Sequence, residues 1–556
     1  MEVMKSDSSR STSTDQRLAS SLADVDLLAQ DSPRQVVPRS PFDLKSNLNP
    51  TEDLSLTQAV IQAIERGRAA QTAWSQQPVQ SRLKIIREIR LEIGRNPRVW
   101  AASVGRDDFG QTLAAEVLPL ADACRFLELS AASVLRDRTI DRRGRPTWLW
   151  GTSLRLRREP FGMVLIIGPS NYPLMLPGIQ AMQALAAGNV VLLKPGSGGT
   201  AAARLLIEMA VSKGLPAGVL QILPESPQAA SIAIEKGINR VILTGSLTAG
   251  RAVSRDAAVQ GIPAVMELSG CDAVFALDDA DPELVSDSLL FGLTLNHSQT
   301  CIAPRRVFAS ETMASQIIAR LLKKLQQRAL SNQSEGQSVV PTEVVASGER
   351  IVELISTATS AGARILTDAI QRINGRPSLT GIAVLDNVRP EMEIVRVDPY
   401  GPVVSFLRVN DETQALDWYC QCPLALGASV FGSNVKCQRF ADQIDAGIVV
   451  INDLIAPTAD PRVPFGGRHQ SGFGVTRGAA GLEEMTQLKA IVTSRCWFRP
   501  HLLTPTPSDA DVLEQLIRIE HAPNPFAKLK CIPRMLASTL AQIQFRKTQR
   551  KNKRLS

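Results

Sequence analysis

Short apolar segments alternate with longer segments of helical pattern between residues 163 and 267, and this alternation constrains the fold more than any other feature. Strands that are apolar throughout are typical of parallel sheets that helices cover on both faces. The sequence therefore predicts an α/β fold with a doubly wound, Rossmann-type parallel sheet. The predicted strands are 163–167, 189–193, 219–223, 240–243 and 264–266, and the predicted helices between them are 176–187, 201–213 and 227–236.

Two glycine-rich turns of this region compete as the binding site of a dinucleotide. Gly196–Ala201 follows a predicted strand and fits the loose glycine fingerprint, with Glu225 as its ribose-binding acid. Gly245–Gly250 also opens a helix, and a helix N-terminus favours a phosphate group. Both turns follow strands, and ligands of parallel sheets bind at the carboxyl ends of the strands. A turn that needs glycine only for its backbone is the third explanation for either pattern.

Two reactive side chains follow the predicted sheet. Glu267 ends an apolar strand, where desolvation raises the pKa of a carboxyl group toward that of a general base. Cys301 lies in the polar segment 296–306, just beyond the apolar segment 289–293, and near side chains that carry positive charge. A thiolate could form in that setting and act as a nucleophile, whereas a packing thiol would usually lie inside the apolar segment. A surface acid and a structural cysteine are the alternatives.

The cysteines and histidines do not form a metal site or a disulfide framework in the sequence. The eight cysteines are scattered along the chain, and the four histidines do not cluster. No apolar run approaches the ~18 residues that a membrane span needs. Because no apolar leader segment follows the Ser- and Thr-rich N-terminus, we expect no secretion, and the scattered cysteines favour the cytoplasm.

Both ends of the chain differ from its body. Residues 1–50 are predicted to be a disordered lead. Residues 497–556 form a basic C-terminal extension, in which the last eleven residues hold six of the Lys and Arg side chains behind the net charge of +8. We expect this extension to be a solvated tail or a helix docked on the body. The apolar residues Met535, Leu536, Leu540, Ile543 and Phe545 leave contact with an anionic membrane surface as the alternative, and contact with nucleic acid is not expected.

The set and order of short motifs resembles the aldehyde dehydrogenase superfamily over about residues 55 to 495. Any one of these motifs is modest, whereas nine in the right order are specific. The motifs are Gly168–Pro173, Lys194-Pro195, Gly214–Val219, Thr244–Ser246, Glu267–Gly270, Asn296–Cys301, Gly401–Val403, Ser429–Phe431, and Pro464–Gly467 with Ser471-Gly472.

The resemblance implies the domain organisation of that superfamily. A Rossmann-type cofactor domain would comprise residues 51–139 and 159–269, and an α/β catalytic domain would comprise residues 270–470. A β-hairpin oligomerisation arm would use residues 140–158 and 484–496. Alternation around Trp148–Trp150 and Leu154–Arg157 favours an exposed hairpin in the first of these segments. The resemblance also implies a homo-oligomer, a dimer or a tetramer.

The resemblance further implies oxidation of an aldehyde to a carboxylic acid through a cysteine thioester. Cys301 would attack the aldehyde carbon, and the Asn171 amide with the Cys301 backbone N–H would hold the oxyanion. Glu267 would activate water to release the acid. The alternative is an acylating or reductive enzyme of the same type that acts on an activated acyl group. A cysteine hydrolase using His297 would leave the glycine-turned sheet unexplained.

The resemblance implies NAD or NADP as the cofactor, and no metal is expected. The second glycine turn would then meet the pyrophosphate, and the first would meet the adenosine ribose. The residues that the resemblance assigns to the cofactor are Lys194, Ser197, Gly245, Ser246, Asp398 and Tyr400.

Several positions near these residues depart from the superfamily pattern. Ser197 replaces a Glu that NAD-preferring members often carry, so that NADP is admissible as well. Asp398 replaces a ribose-binding Glu and is one methylene shorter, which is expected to slow hydride transfer. The remaining departures are Ser170 for Trp, Ser298 for Gly and Cys271 for Lys.

Overall fold

The computed structural model describes residues 50–335, 345–373, 375–496, 499–502 and 509–555. The predicted N-terminal lead, apart from Pro50, lies outside these residues. Helices are labelled α1 to α17 and strands β1 to β20 in chain order within the described residues. The helices are Pro50–Ser75, Val79–Arg95, Pro97–Val104, Phe109–Thr112, Leu118–Val134, Met175–Ala187, Thr200–Ser212, Pro227–Glu235, Leu247–Val259, Pro282–Thr294, Glu311–Glu335, Val345–Ser360, Glu412–Tyr419, Asn434–Ala441, Gly478–Glu483, Asp509–Glu520 and Pro525–Leu555. The strands are Arg138–Ile140, Thr152–Pro160, Met163–Ile167, Val190–Lys194, Leu220–Ile222, Arg240–Thr244, Ala264–Glu267, Asp272–Ala276, Pro304–Ala309, Arg364–Ile365, Ile370–Ile373, Arg376–Leu379, Ala383–Asp386, Val403–Arg408, Leu424–Ala425, Gly427–Phe431, Ile448–Ile451, Arg468–His469, Gly472–Phe473 and Thr486–Ser494.

The first large sheet has six strands in the order β19-β7-β6-β3-β4-β5. Its strands are parallel except β19, which pairs antiparallel with β7. The predicted doubly wound sheet is therefore confirmed, and its strands begin and end within about one residue of the predicted bounds. The strands are recognisable because β3, β4 and β6 are buried at every position, which requires continuous apolar runs.

The second large sheet has seven strands in the order β10-β13-β14-β9-β8-β16-β17. Its pairs are parallel except β10 with β13. Successive residues of β8 point into two different hydrophobic clusters: Phe275 joins one with Phe308, and Val274 joins the other with Val307. Both faces of this sheet are therefore packed, as in a doubly wound α/β fold.

A third sheet is antiparallel and joins two distant parts of the chain. Its order is β1-β2-β20, and Thr152–Pro160 pairs along its whole length with Thr486–Ser494. The predicted strand character of Trp148–Trp150 is wrong, because Thr147–Leu149 forms a 3-10 turn and leaves Trp148 and Trp150 exposed. Alternation over three residues did not distinguish this turn from a strand.

The C-terminal extension is helical in its described part. Helices α16 and α17 pack against each other, with Arg546 of α17 3.4 Å from the Asp509 carboxylate of α16. No helix in the described part of the chain is both long and apolar enough to cross a membrane.

Candidate active site

The sequence-predicted site residues gather at the carboxyl edge of the six-stranded sheet. Parallel strands end at one edge, so the turns that follow them meet there. The residues at this edge are Asn171 after β3, Lys194 at the end of β4, Ser246 after β6 and Glu267 at the end of β7.

Cys301 reaches this edge from the second sheet, and Gly270 allows the approach. The connection from β7 to β8 runs directly against the Cys301 loop. A Cβ atom built on Gly270 would lie 2.6 Å from the Cys301 carbonyl oxygen, closer than real side chains come. Any larger residue at 270 would therefore separate the Glu267 segment from the cysteine.

The turn before Cys301 has an unusual backbone. Asn296, His297 and Ser298 have φ angles of 49°, 53° and 60°, which side-chain-bearing residues rarely adopt. Three such residues in succession cost free energy and persist only where the surroundings hold them. This turn is therefore held in place by the contacts described next.

Asn171 is bonded directly to the Cys301 loop. Its side-chain Nδ2 donates to the Gln299 backbone carbonyl at 2.9 Å. Its backbone carbonyl accepts from the Asn296 side-chain Nδ2 at 3.1 Å. A side-chain amide has two N–H donors, so one donor of Asn171 is left for a substrate oxygen. The predicted pair Asn171 and Cys301 is thus brought together.

Arg305 fastens the same turn from its other side. Its guanidinium donates to the Ser298 hydroxyl at 2.9 Å, to the Ser298 carbonyl at 2.8 Å and to the Gly401 carbonyl at 2.5 Å. Its Nε donates to Asp398 at 3.0 Å. Ser298 and Asp398, which both depart from the superfamily pattern, are therefore parts of one cluster around Arg305. The sequence indicated positive charge in the segment 296–306 but did not predict this cluster.

Asp398 is more constrained than the sequence predicted. Its Oδ1 accepts from Arg305 and from the Tyr400 backbone N–H at 2.8 Å. Its Oδ2 is buried and has no partner among the described residues. Burial raises the pKa of Asp398, and Arg305 opposes that rise. Only Oδ2 is left to accept a ribose hydroxyl.

Glu267 is buried and held by three neutral donors. It accepts from the Thr476 hydroxyl, from the Thr244 hydroxyl at 2.9 Å and from the Gln180 amide at 3.3 Å. Burial raises the pKa of Glu267, and the Thr476 hydrogen bond and the charge of Arg477 oppose the rise. The raised pKa makes this carboxylate a stronger base than an exposed one.

Cys301 is half-buried and carries a proton at rest. Burial raises the pKa of its thiol to about 12, and the negative charges of Asp272 and Glu267 add to the rise. Arg477 acts in the opposite direction. A nucleophilic thiolate at this position therefore needs a base or a further positive charge.

Arg477 is a buried cation that sequence reasoning missed. Its guanidinium lies 4.2 Å from the centre of the Phe465 ring and donates to the Thr458 carbonyl at 2.7 Å. Phe465 belongs to the apolar cluster against which Cys301 packs. The Arg477 Nε has no partner among the described residues. No local pattern marked this arginine, because its environment comes from distant segments.

A second unpredicted group lies beside Asn171. Arg106 donates to the Asn171 carbonyl and lies 3.5 Å from the buried Glu116. Glu116 accepts from the Leu174 and Met175 backbone N–H groups at 3.1 and 2.7 Å. Burial raises the pKa of Glu116 to about 7. This cluster fixes the backbone on both sides of the Asn171 turn.

Tyr172, the next residue, completes the wall of the Cys301 loop. Its hydroxyl lies 2.6 Å from the Thr300 hydroxyl, and Arg106 stacks over its ring at 5.7 Å. Burial raises the pKa of the Tyr172 hydroxyl, so it stays neutral and serves as a hydrogen-bonding group. The predicted departure at Ser170 is exposed, and Cys271 packs in the core with Cys422 and Leu424.

The first glycine turn surrounds a carboxylate. Glu225 accepts from the Gly198 and Thr200 backbone N–H groups, each at 3.1 Å, and from the Thr200 hydroxyl at 2.5 Å. Burial lowers the pKa of Lys194, and the negative charge of Glu225 opposes that shift. Lys194 donates to the Pro195 carbonyl at 2.8 Å and keeps two further N–H donors. Ser197 is exposed beside this pair.

The second glycine turn forms an open helix start. Ser246 caps α9 and accepts from the Ala249 backbone N–H at 3.2 Å. The space in front of Gly245 is open, since a Cβ built there would find no atom closer than 3.9 Å. A free helix N-terminus with open space suits a phosphate. Together with Lys194 and Glu225 at one sheet edge, these residues fit a dinucleotide, with its phosphates at α9.

A metal centre has no candidate in the part of the chain that the structure describes. No three His, Cys, Asp or Glu side chains there approach closely enough to hold an ion.

Comparison with known proteins gives a consistent result. A model of the Aldehyde dehydrogenase family matches residues 48–491. The 4,4'-diapolycopene aldehyde oxidase of Methylomonas sp is 28% identical over 78% of this chain and 81% of its own length. Vanillin dehydrogenase of Pseudomonas fluorescens is 31% identical over 62% of this chain and 72% of its own length. The crystal structure of NADP-dependent glyceraldehyde-3-phosphate dehydrogenase from Bacillus halodurans C-125, complexed with NADP, is 26% identical, with a TM-score of 0.70 over 79% of this chain and 92% of that chain.

Proposed function

The chain belongs to the aldehyde dehydrogenase family, and on that premise we propose that it oxidises an aldehyde to a carboxylic acid with NAD(P)+. The observation that supports the site assignment best is the hydrogen bond from the Asn171 amide to the Cys301 loop. It brings an oxyanion donor and a nucleophile together from positions far apart in the chain. Glu267 approaches the same loop through the close contact at Gly270.

The first step forms a bond between the Cys301 sulfur and the aldehyde carbon. Because the pKa of the thiol is about 12, its proton has to leave as the bond forms, and we assign this proton to solvent water. The free N–H of Asn171 and the Cys301 backbone N–H hold the oxyanion. Arg477 lowers the free energy of the thiolate because its charge acts on Cys301.

The second half of the reaction removes the acyl group from Cys301. NAD(P)+, once bound, would supply the acceptor for the hydride of the former aldehyde carbon, so that the acyl group on Cys301 would be a thioester. Glu267 takes a proton from water as the water oxygen attacks the thioester carbon. Glu267 passes that proton to the cysteine sulfur as the carbon–sulfur bond breaks, and the carboxylic acid is released. Burial raises the pKa of Glu267, which makes its carboxylate a stronger base for this transfer.

The residues that would hold the cofactor lie at different points along the sheet edge. Gly245 and Ser246 would hold the diphosphate at the start of α9. Lys194 and Ser197 would contact the adenosine ribose beside Glu225. Tyr400 and the free Oδ2 of Asp398 lie toward the nicotinamide end, where Arg305 limits how far Asp398 reaches.

A homo-oligomer in the cytoplasm completes the proposal. In the antiparallel sheet, β20 is an edge strand and exposes Leu488 and Val492. An exposed apolar edge favours pairing with a second chain. None of the eight cysteines, all of which lie among the described residues, forms a disulfide, which fits a reducing compartment.

The test is the formation of NAD(P)H by the purified full chain with a panel of aliphatic and aromatic aldehydes. We expect turnover without any other acceptor. No turnover with any aldehyde, in enzyme that binds NAD(P)+, would falsify the proposal. Turnover that depends on coenzyme A would instead identify the acylating alternative, in which the thiol of coenzyme A takes the place of water.

A further inference from the structure

The C-terminal helices lie beyond the part of the chain that the family accounts for. The family match ends at residue 491, whereas α16 and α17 span Asp509–Glu520 and Pro525–Leu555. The oxidation of an aldehyde therefore does not explain what these two helices do, and their proposed role does not depend on that reaction.

One face of α17 is apolar and exposed. Six apolar side chains recur at intervals of three or four residues and fall within a sector of about 120° around the helix axis. This set is called the apolar stripe and consists of Phe526, Leu529, Ile532, Leu536, Leu540 and Ile543, all of which are exposed. The helix is not docked on the body through this face, so that the expected solvated tail and the alternative of contact with a membrane surface both stay predictions.

Positive charge borders the apolar stripe. Lys528 and Lys530 are exposed and fall on opposite sides of it at helical spacing. Between residues 521 and 556 the sequence has nine Lys and Arg residues and no Asp or Glu. The helix therefore combines an apolar face with cationic flanks and has no acid of its own, although Arg546 is paired with Asp509 of α16.

We propose that α17 docks lengthwise on the surface of an anionic lipid bilayer. The apolar stripe enters the boundary of the acyl chains, and the lysines at its sides reach out to the lipid headgroups. The basic C-terminal end adds attraction to anionic headgroups.

Other occupants match the helix less well. A second copy of α17 would cover the stripe but would bring two sets of cations together. A nucleic acid would satisfy the cations but would leave the stripe in water. Only an anionic bilayer satisfies both features at once.

Co-sedimentation of the full chain with lipid vesicles tests the proposal. One set of vesicles contains phosphatidylglycerol and phosphatidylcholine, and the other contains phosphatidylcholine alone. We expect binding to the anionic vesicles to be at least about tenfold stronger, and to weaken in high salt. Equal binding to both kinds of vesicle, or no binding to either, overturns the proposal.

A matched pair of variants locates the binding surface. The variant L536E/L540E places two acids in the stripe and is expected to lose vesicle binding by at least about tenfold. The control L129E/V435E changes the charge equally at exposed apolar positions elsewhere and should bind as the unmodified chain does. Light scattering of each variant measures self-association. Unchanged vesicle binding by L536E/L540E contradicts the proposal. A smaller oligomer of L536E/L540E, together with no vesicle binding by the unmodified chain, contradicts it as well.

Discussion

Arg305 and Asp398 form a buried ion pair, with 3.0 Å between Arg305 Nε and Asp398 Oδ1 and side chains that are 1% and 4% exposed. The same arginine holds the strained turn before Cys301 through Ser298. The pair thus connects Asp398 with the backbone of the turn before Cys301. Asp398 and Ser298, both of which Arg305 contacts, are two of the positions that depart from the family pattern.

Removal of one partner of this pair is expected to destabilise the protein. Arg305→Met leaves Asp398 buried without its cation and releases the Ser298 turn, which should cost about 3–5 kcal/mol in urea unfolding and lower kcat. The double variant R305M/D398N removes both charges and should recover most of the lost stability. It should recover little of the lost kcat, because the turn is still unfastened. Equal stability of Arg305→Met and R305M/D398N would show that the charge pairing does not contribute to stability.

Glu116 is expected to make stability depend on pH. Burial raises its folded pKa to about 7, above its ordinary value of 4.5. The folded state therefore holds the proton more tightly than the unfolded state. Its contribution is fully present below about pH 4.5 and is lost as the pH rises through about 7, a change of about 3 kcal/mol. In urea unfolding, the free energy of unfolding of Glu116→Gln should change less with pH over this range than that of the unmodified chain. An unchanged slope would exclude Glu116 as the source of the pH dependence.

Arg477 is expected to control the reactivity of the cysteine. Its charge lowers the pKa of the Cys301 thiol, so Arg477→Met should raise that pKa and reduce the thiolate fraction at any given pH. The rate of alkylation of Cys301 should fall about tenfold at neutral pH, and the pH profile of kcat/KM should move to higher pH. Arg462→Met removes an exposed cation and serves as the control. The prediction fails if both variants are alkylated at the same rate.

Glu225 is expected to select NAD over NADP. Its carboxylate is fixed by the first glycine turn and acts on Lys194, beside the place we assign to the adenosine ribose. A 2′-phosphate there would meet that negative charge. Glu225→Gln should raise kcat/KM for NADP relative to NAD by about tenfold, whereas Glu235→Gln, at an exposed position of α8, should not. A ratio that does not change would leave Ser197 and Lys194 as the determinants.

The local sequence pattern predicted the first sheet closely. Strands such as Met163–Ile167 are buried on all sides, so their composition is constrained at every position. Asn171, Glu267 and Cys301 were found because each follows a recognisable strand or motif. Their assignments as catalytic residues stay predictions, and so do the domain bounds and the cofactor-binding residues.

The pattern did not reveal contacts between distant segments. Arg305 meets Asp398 across 93 positions of the chain, and Arg106 meets Asn171 across 65. Arg477 acquires its role only because the fold places it near Cys301. Burial of a charge depends on which surfaces the tertiary structure brings together, and a single sequence does not specify this for isolated arginines.

The central claim is that Cys301 carries the acyl group and Glu267 supplies the base that removes it. A single-turnover experiment with Glu267→Gln, an aldehyde and NAD(P)+ tests it most directly, because hydrolysis is blocked after hydride transfer. Alkylation of a separate sample of the variant shows whether the Cys301 thiol is still reactive. We predict about one equivalent of NAD(P)H per active site and an intact mass increased on Cys301 by that of the aldehyde less two hydrogen atoms. Continuous turnover by this variant, or a burst of NAD(P)H with no mass added to Cys301, would contradict the claim.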